Sequence, residues 1–196
     1  MIFDTSALIG WLPVDGSRMP ASLSTPESLT LELTGVRALN AFLGSGGRFF
    51  ASKTLVRGEY LNPMGNLRPD QIAEMRGLPV VDVKMVLEAR ERLVGNLERK
   101  KLLIDEQAIS SHGGPGYHDV LVGTYRVFSG RKISENDAHL LTLGVMETMA
   151  NGRAKIVTGD HPLVGNWSYL LQTRPALRSL RCVKRRSPAL YGRFHF

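Results

Sequence analysis

The chain has 196 residues, 43% of them hydrophobic, enough for one globular domain with a sizeable core. No apolar run approaches the length of a membrane span, Asp4 stands where a signal peptide would be basic and then apolar, and the single cysteine, Cys182, excludes an internal disulfide, so a cytoplasmic protein with no membrane contact is expected. The net charge of +7 is carried by residues 161–196, which hold seven Lys/Arg and no Asp/Glu, a one-signed segment of the kind that attracts polyanions.

The chain opens on a short strand, residues 1–3, and Thr5 or Ser6 can cap a helix running to about Leu12. Residues 13–26, rich in Pro, Ser and Gly, read as a long loop. Leu29, Leu33, Val36, Ala38, Leu39, Phe42 and Leu43 recur at helical spacing and predict a helix over 27–43, closed by the glycines at 44–47. Phe49–Ala51 reads as a strand, followed by a helix-like segment at 53–61 that carries Glu59.

Prolines break residues 63–82, and a long amphipathic stretch then runs from about Val83 to Ile109, with Val86, Arg90, Leu93, Leu97 and Leu103 or Ile104 as its seam. Gly113–Gly116 interrupts the chain before a helix over 117–128. A periodic helix opens at Ser134–Asp137 and ends at Asn151-Gly152, strand 155–158 comes next, Leu170-Leu171 suggests a short helix, and Ser179–Val183 reads as a final strand containing a buried Cys182. Strands alternating with helices predict an α/β fold with a mostly parallel sheet.

Four acids stand out by context. Asp4 and Asp160 each end an apolar strand, Glu59 comes after the strand at 49–51, and Asp137 lies in the first turn of the helix leading to the Asp160 strand. If these three strands are neighbours in a parallel sheet, their C-terminal ends share one edge and the four carboxylates meet there. Crowded carboxylates repel one another, and a divalent cation removes that penalty; hard oxygen donors suit Mg²⁺ or Mn²⁺. Thr5, Ser6 and Thr158 supply hydroxyls able to orient such ligands. Each acid also has a purely structural use: Asp4 as a helix cap, Glu59 as a solvated helix residue, Asp137 as part of a capping box with Ser134, Asp160 as a turn residue.

The segments Ile2-Phe3-Asp4-Thr5-Ser6, Thr54-Leu-Val-Arg-Gly-Glu59-Tyr-Leu61, Gly130-Arg-Lys-Ile-Ser-Glu-Asn-Asp137 and Ile156-Val-Thr-Gly-Asp160 resemble the four acidic motifs of the PIN-domain ribonucleases, the family that includes the VapC-type toxins. The resemblance implies a three-layer α/β/α sandwich; the segment at about 63–116 is larger than the family needs and reads as a helical elaboration, and the charge count marks a basic segment at about 174–196. It further implies a metal-dependent endoribonuclease in which Asp4, Glu59, Asp137 and Asp160 hold one or two Mg²⁺ or Mn²⁺ ions and give products with 5′-phosphate and 3′-hydroxyl ends. RNA would then lie along Arg174, Arg178, Arg181, Lys184, Arg185 and Arg186, and Tyr191, Phe194 and Phe196 could stack on bases. An antitoxin protein and a second copy of the chain are the other candidate partners, with the helix near 83–109 as groove or dimer surface. His161-Pro162-Leu163 stands where the family often has a further acid and a phenylalanine, which leaves a non-catalytic RNA-binding module as the alternative. His139 and His161 near these acids leave open a mixed His/carboxylate metal site.

Overall fold

A computed structural model of the chain describes residues 1–9, 22–106, 109 and 115–184. Most of the loop expected at 13–26, Gly113 and Gly114, Arg185, Arg186 and the aromatic tail lie outside these residues. β1 (Ile2–Phe3) leads into α1 (Thr5–Ile9). α2 (Pro26–Gly44) precedes β2 (Phe50–Ser52), which runs into one α-helical turn, α3 (Lys53–Leu55), and then a π-helical turn at Val56–Tyr60. β3 (Pro63–Asn66), α4 (Pro69–Arg76), α5 (Val80–Arg99), β4 (Leu103–Ile104), α6 (Tyr117–Val127) and α7 (Glu135–Asn151) come next. β5 (Ala154–Thr158), α8 (His161–Thr173), a 3₁₀ turn at Pro175–Leu177 and β6 (Leu180–Lys184) complete the order. No described helix is long and apolar enough to cross a membrane.

Five strands form one parallel sheet in the order β4-β2-β1-β5-β6. β1 is its axis, with Ile2 level with Phe50 on one side and Ile156 on the other. Strand geometry sends successive side chains to opposite faces. Ile2, Ile156, Leu180 and Cys182 therefore pack against Val120 of α6, Leu140 and Leu143 of α7, and Leu163 and Leu170 of α8. Phe3, Ala51 and Val157 pack on the other face against Ala7 and Leu8 of α1, Val36 and Leu39 of α2, and Leu93 and Leu97 of α5. A third apolar cluster joins α2, α4 and α5 through Leu29, Ile72, Val83 and Val86. Helices thus cover both faces, as parallel strands buried on two sides require.

The amphipathic stretch does not continue as a helix to Ile109. α5 ends at Arg99, Lys101 takes a left-handed backbone with φ 55°, and Leu103–Ile104 returns as the edge strand β4 beside β2. Leu103 and Ile104 keep the apolar spacing of the helix, so periodicity alone passes over the reversal. The expected seam positions Val86, Leu93 and Leu97 are buried, and so is Arg90, whose guanidinium pairs with the buried Glu32 of α2. The segment from 63 onwards thus contributes a core helix and a sheet strand. α8 is a full helix of 13 residues rather than a short one at Leu170-Leu171.

α7 crosses the sheet at Gly144, where a Cβ would come within 2.8 Å of both Ile156 Cδ1 and Leu180 Cδ1. A methyl displaces only the ends of two flexible side chains, and the helix propensity gained offsets part of the strain. Gly144→Leu should lower stability by about 1–3 kcal/mol through overpacking, measured by urea unfolding, with Gly144→Ala much closer to the parent.

Candidate functional site

The parallel register brings the C-terminal ends of β1, β2 and β5 to one edge, and Asp4 sits at its centre. Its backbone N–H donates to Val157 O at 2.9 Å, which ties the residue after β1 to β5. α1 begins at the next residue, so Thr5 and Ser6 lie inside the first turn rather than capping it, and both hydroxyls turn back to the Asp4 carboxylate. Ser6 donates to Oδ2 of Asp4, and Thr158 at the end of β5 donates to the same oxygen at 2.7 Å. The Ser6 hydroxyl accepts the Gly159 N–H at 2.9 Å, and Thr158 Oγ1 accepts the Asp160 N–H at 2.9 Å. The Ser6 and Thr158 hydroxyls thus knit the two strand ends together around one partly buried carboxylate.

Thr5 links the second acid. Its hydroxyl lies 2.6 Å from Glu59 Oε2 and 3.3 Å from Asp4 Oδ1, and its one proton goes to the nearer oxygen. Glu59 is otherwise exposed, and it stands on the π-helical turn closed by the Leu61 N–H on Val56 O at 3.0 Å. The extra residue in such a turn re-aims the side chains beyond β2. Glu59 is not merely a solvated helix residue.

Asp137 does not close a capping box. Ser134 caps α7 by accepting the Asp137 N–H at 3.0 Å, while the Asp137 carboxylate accepts from Asn166 Nδ2 of α8 at 3.1 Å. Burial, followed by the neighbouring Asp160 and Asp4 carboxylates, raises the Asp137 pKa against the pull of Ser134 and Asn166. Asp160 precedes α8 without a side-chain cap bond. Its pKa is raised by burial first, then by Asp4 and Glu59, and His161 opposes the shift. Burial pushes the Cys182 thiol up to about 12, helped by Asp4 and Asp137, so it remains a neutral core group. Asp137 thus feels Asp160 and Asp4, Asp160 also feels Glu59, and no Lys or Arg forms an ion pair with any of the four acids among the described residues.

Among the described residues, no three His, Cys, Asp or Glu side chains are grouped so as to hold a metal ion between them. The grouping that is in place is the pair Asp4 and Glu59 bridged by Thr5. Such a donor set fits Mg²⁺, which usually takes one or two carboxylates and completes its shell with water and substrate phosphate. His139 is committed elsewhere: its Nδ1 shares a 2.6 Å hydrogen bond with the Tyr117 hydroxyl, and the two rings stack. Burial raises the Tyr117 pKa, so the phenol stays protonated.

Of the basic residues, Lys184 has its backbone in register with Thr158, level with the acidic edge, whereas Arg181 pairs with Lys155, well below it. Arg178 and Arg181 are exposed, and Arg174 donates to Gly123 O at 3.2 Å.

Two groups escape a reading of the sequence by motifs. Asn166 holds Asp137. Glu106, 3% exposed, accepts the hydroxyls of Ser52 and Thr54, the latter at 2.9 Å, and so anchors the start of the Glu59 segment, while the adjacent Asp105 pairs with Lys53 at 2.6 Å. The signal for Glu106 is present in the chain: Leu103-Ile104-Asp105-Glu106 is again an apolar strand ending in acid.

No protein-family model matches this chain, nor does any curated protein or solved structure.

The raised pKa of Asp160 has a consequence for stability. A carboxyl that binds its proton more tightly when folded opposes folding once ionised, so this penalty is absent at low pH and grows as pH rises from the unfolded value near 4 through the folded value. In metal-free buffer at pH 7, Asp160→Asn should melt about 2 °C above the parent, and the difference should close towards pH 3. A lower melting temperature at pH 7 would contradict the repulsion.

Proposed function

We propose that the protein is a PIN-like, metal-dependent endoribonuclease that hydrolyses RNA phosphodiester bonds at Asp4, Glu59, Asp137 and Asp160. The observation that carries this reading is the pair Asp4 and Glu59, bridged by Thr5 at the C-terminal edge of a parallel sheet, with the Asp137 and Asp160 carboxyls electrostatically coupled to Asp4. The sheet topology and the position of each acid at a strand end or in a first turn support the family resemblance of the four motifs.

Asp4 and Glu59 would hold Mg²⁺ or Mn²⁺, with Asp137 and Asp160 near enough to hold a second ion or its waters. A divalent cation bound there supplies Lewis acidity towards phosphate oxygens and offsets the charge developing in an in-line displacement. Thr5, Ser6 and Thr158 keep the Asp4 and Glu59 carboxylates oriented, as the hydroxyl donors around metal ligands do. Asp137 and Asp160, more basic than ordinary carboxylates, are suited to take a proton from an attacking water. Lys184, beside Thr158, and Arg185 and Arg186 after it would place cations where the RNA backbone enters.

RNA cleavage by the purified protein should require Mg²⁺ or Mn²⁺, stop with EDTA and fall at least about a hundredfold in Asp4→Asn, whose circular dichroism and melting should stay close to the parent. Full cleavage by that variant would sink the site. Growth arrest on expression, relieved by the same substitution, would extend the reading to a toxin with an antitoxin partner.

A non-catalytic RNA-binding module is the second reading, favoured by His161 and Pro162 in the first turn of α8, where the resemblance calls for a further acid. Binding without cleavage in the presence of Mg²⁺ selects it. Under both readings, replacing Lys184, Arg185 and Arg186 together by alanine should flatten the salt dependence of single-stranded RNA binding by about 2 log units per decade, at about 0.7 for each phosphate no longer neutralised.

A further inference from the structure

The π-helical turn that carries Glu59 is an unfavourable local structure, with no regular helix continuing beyond it, and it persists only if its surroundings hold it. Its first end is fixed by the hydroxyls of Ser52 and Thr54 on Glu106. Its last residue, Tyr60, is fully buried, and the Tyr60 carbonyl accepts from Arg90 Nη1 at 2.6 Å. Arg90 is itself fully buried on α5. It reaches Glu32 of α2 through Nε and Nη2, Ser22 through Nη2 at 2.5 Å, and the Tyr60 ring, whose centroid lies 5.0 Å from its Cζ. The Tyr60 hydroxyl in turn donates to Leu8 O of α1 at 3.4 Å, on the helix whose first residue is Thr5.

We propose that Arg90 is a positioning residue for the acidic site, holding the end of the π-helical turn so that Glu59 meets Thr5 beside Asp4. A buried ion pair is by itself a poor source of stability, because desolvation offsets much of the attraction. The guanidinium here does something a simple ion pair would not. Its fork addresses three acceptors in three directions, on α2, at Ser22 and on the turn, and a lysine ammonium has no such fixed geometry. The chain between the second and third acids thus has a part in the site: α5 brings a cation to the turn without placing any charge against the carboxylates. This proposal rests on the reading of the four acids as a metal site.

The test is a double-mutant cycle on Mn²⁺ affinity, measured by calorimetry, with the parent, Arg90→Lys, Glu59→Gln and the double variant. Hydrogen exchange is monitored in the same proteins. Arg90→Lys should weaken Mn²⁺ binding about tenfold in the parent and leave it unchanged once Glu59 is glutamine. It should also speed exchange of the Leu61 amide, which closes the turn, at least tenfold relative to the amides of β5. Equal losses in both backgrounds, or an unaltered Leu61 amide, would overturn the proposal. If Arg90→Lys does not fold, the pair Arg90→Met with Glu32→Leu removes both buried charges and is read against the same two criteria. A parent protein that binds no Mn²⁺ refutes the metal site, and Leu61 exchange then decides alone whether Arg90 holds the turn.

Discussion

The pairing of β1 between β2 and β5 is the constraint on which the rest of the molecule depends. With Ile2 level with both Phe50 and Ile156, three strands running in one direction must end together. The residues just beyond each strand then stand close to one another, and in this chain those residues are acids and hydroxyls: Asp4, Thr5 and Ser6 after β1, Thr158 to Asp160 at the end of β5, and the Glu59 segment after β2. The Asp4 N–H on Val157 O carries the pairing one residue past the strand and fixes where the carboxylate lies. Loss of that register would disperse the site without changing any of its residues.

The same edge shows how a folded chain tolerates crowded carboxylates. Asp4 and Glu59 are satisfied by hydroxyl donors, Asp137 by an amide, and burial with mutual repulsion raises the pKa of Asp137 and Asp160. Neutral donors hold the acids in place while leaving their charge uncancelled, unlike the half-buried Lys53–Asp105 and exposed Arg57–Glu98 pairs. Keeping negative charge together in this way costs some stability, and a bound cation or proton would relieve that cost.

Much of this was legible in the chain. Strands of β-branched and aromatic residues stopped by Asp4 and Asp160, and an amphipathic helix capped at Ser134, are local patterns fixed by backbone geometry and side-chain spacing. The places where the pattern misled are equally physical. Leu103 and Ile104 keep helical spacing after α5 has ended, because a reversal at Lys101 leaves no mark on apolar periodicity. Arg90 occupies a seam position where a cation looks out of place, because its partner Glu32 lies on another helix.

The sequence by itself therefore determined β1, β2, β5 and β6, the sign of the charge on each segment and the identity of the four acids, since each depends on neighbours a few residues away. Only the tertiary structure decided that Thr5 bridges Asp4 and Glu59, that Asp137 turns to Asn166 rather than to its own helix cap, and that Glu59 rides on a π-helical turn held by Glu106 and Arg90. Those outcomes rest on contacts between residues far apart in the chain, whose geometry is set by strand register and helix packing and by no local preference.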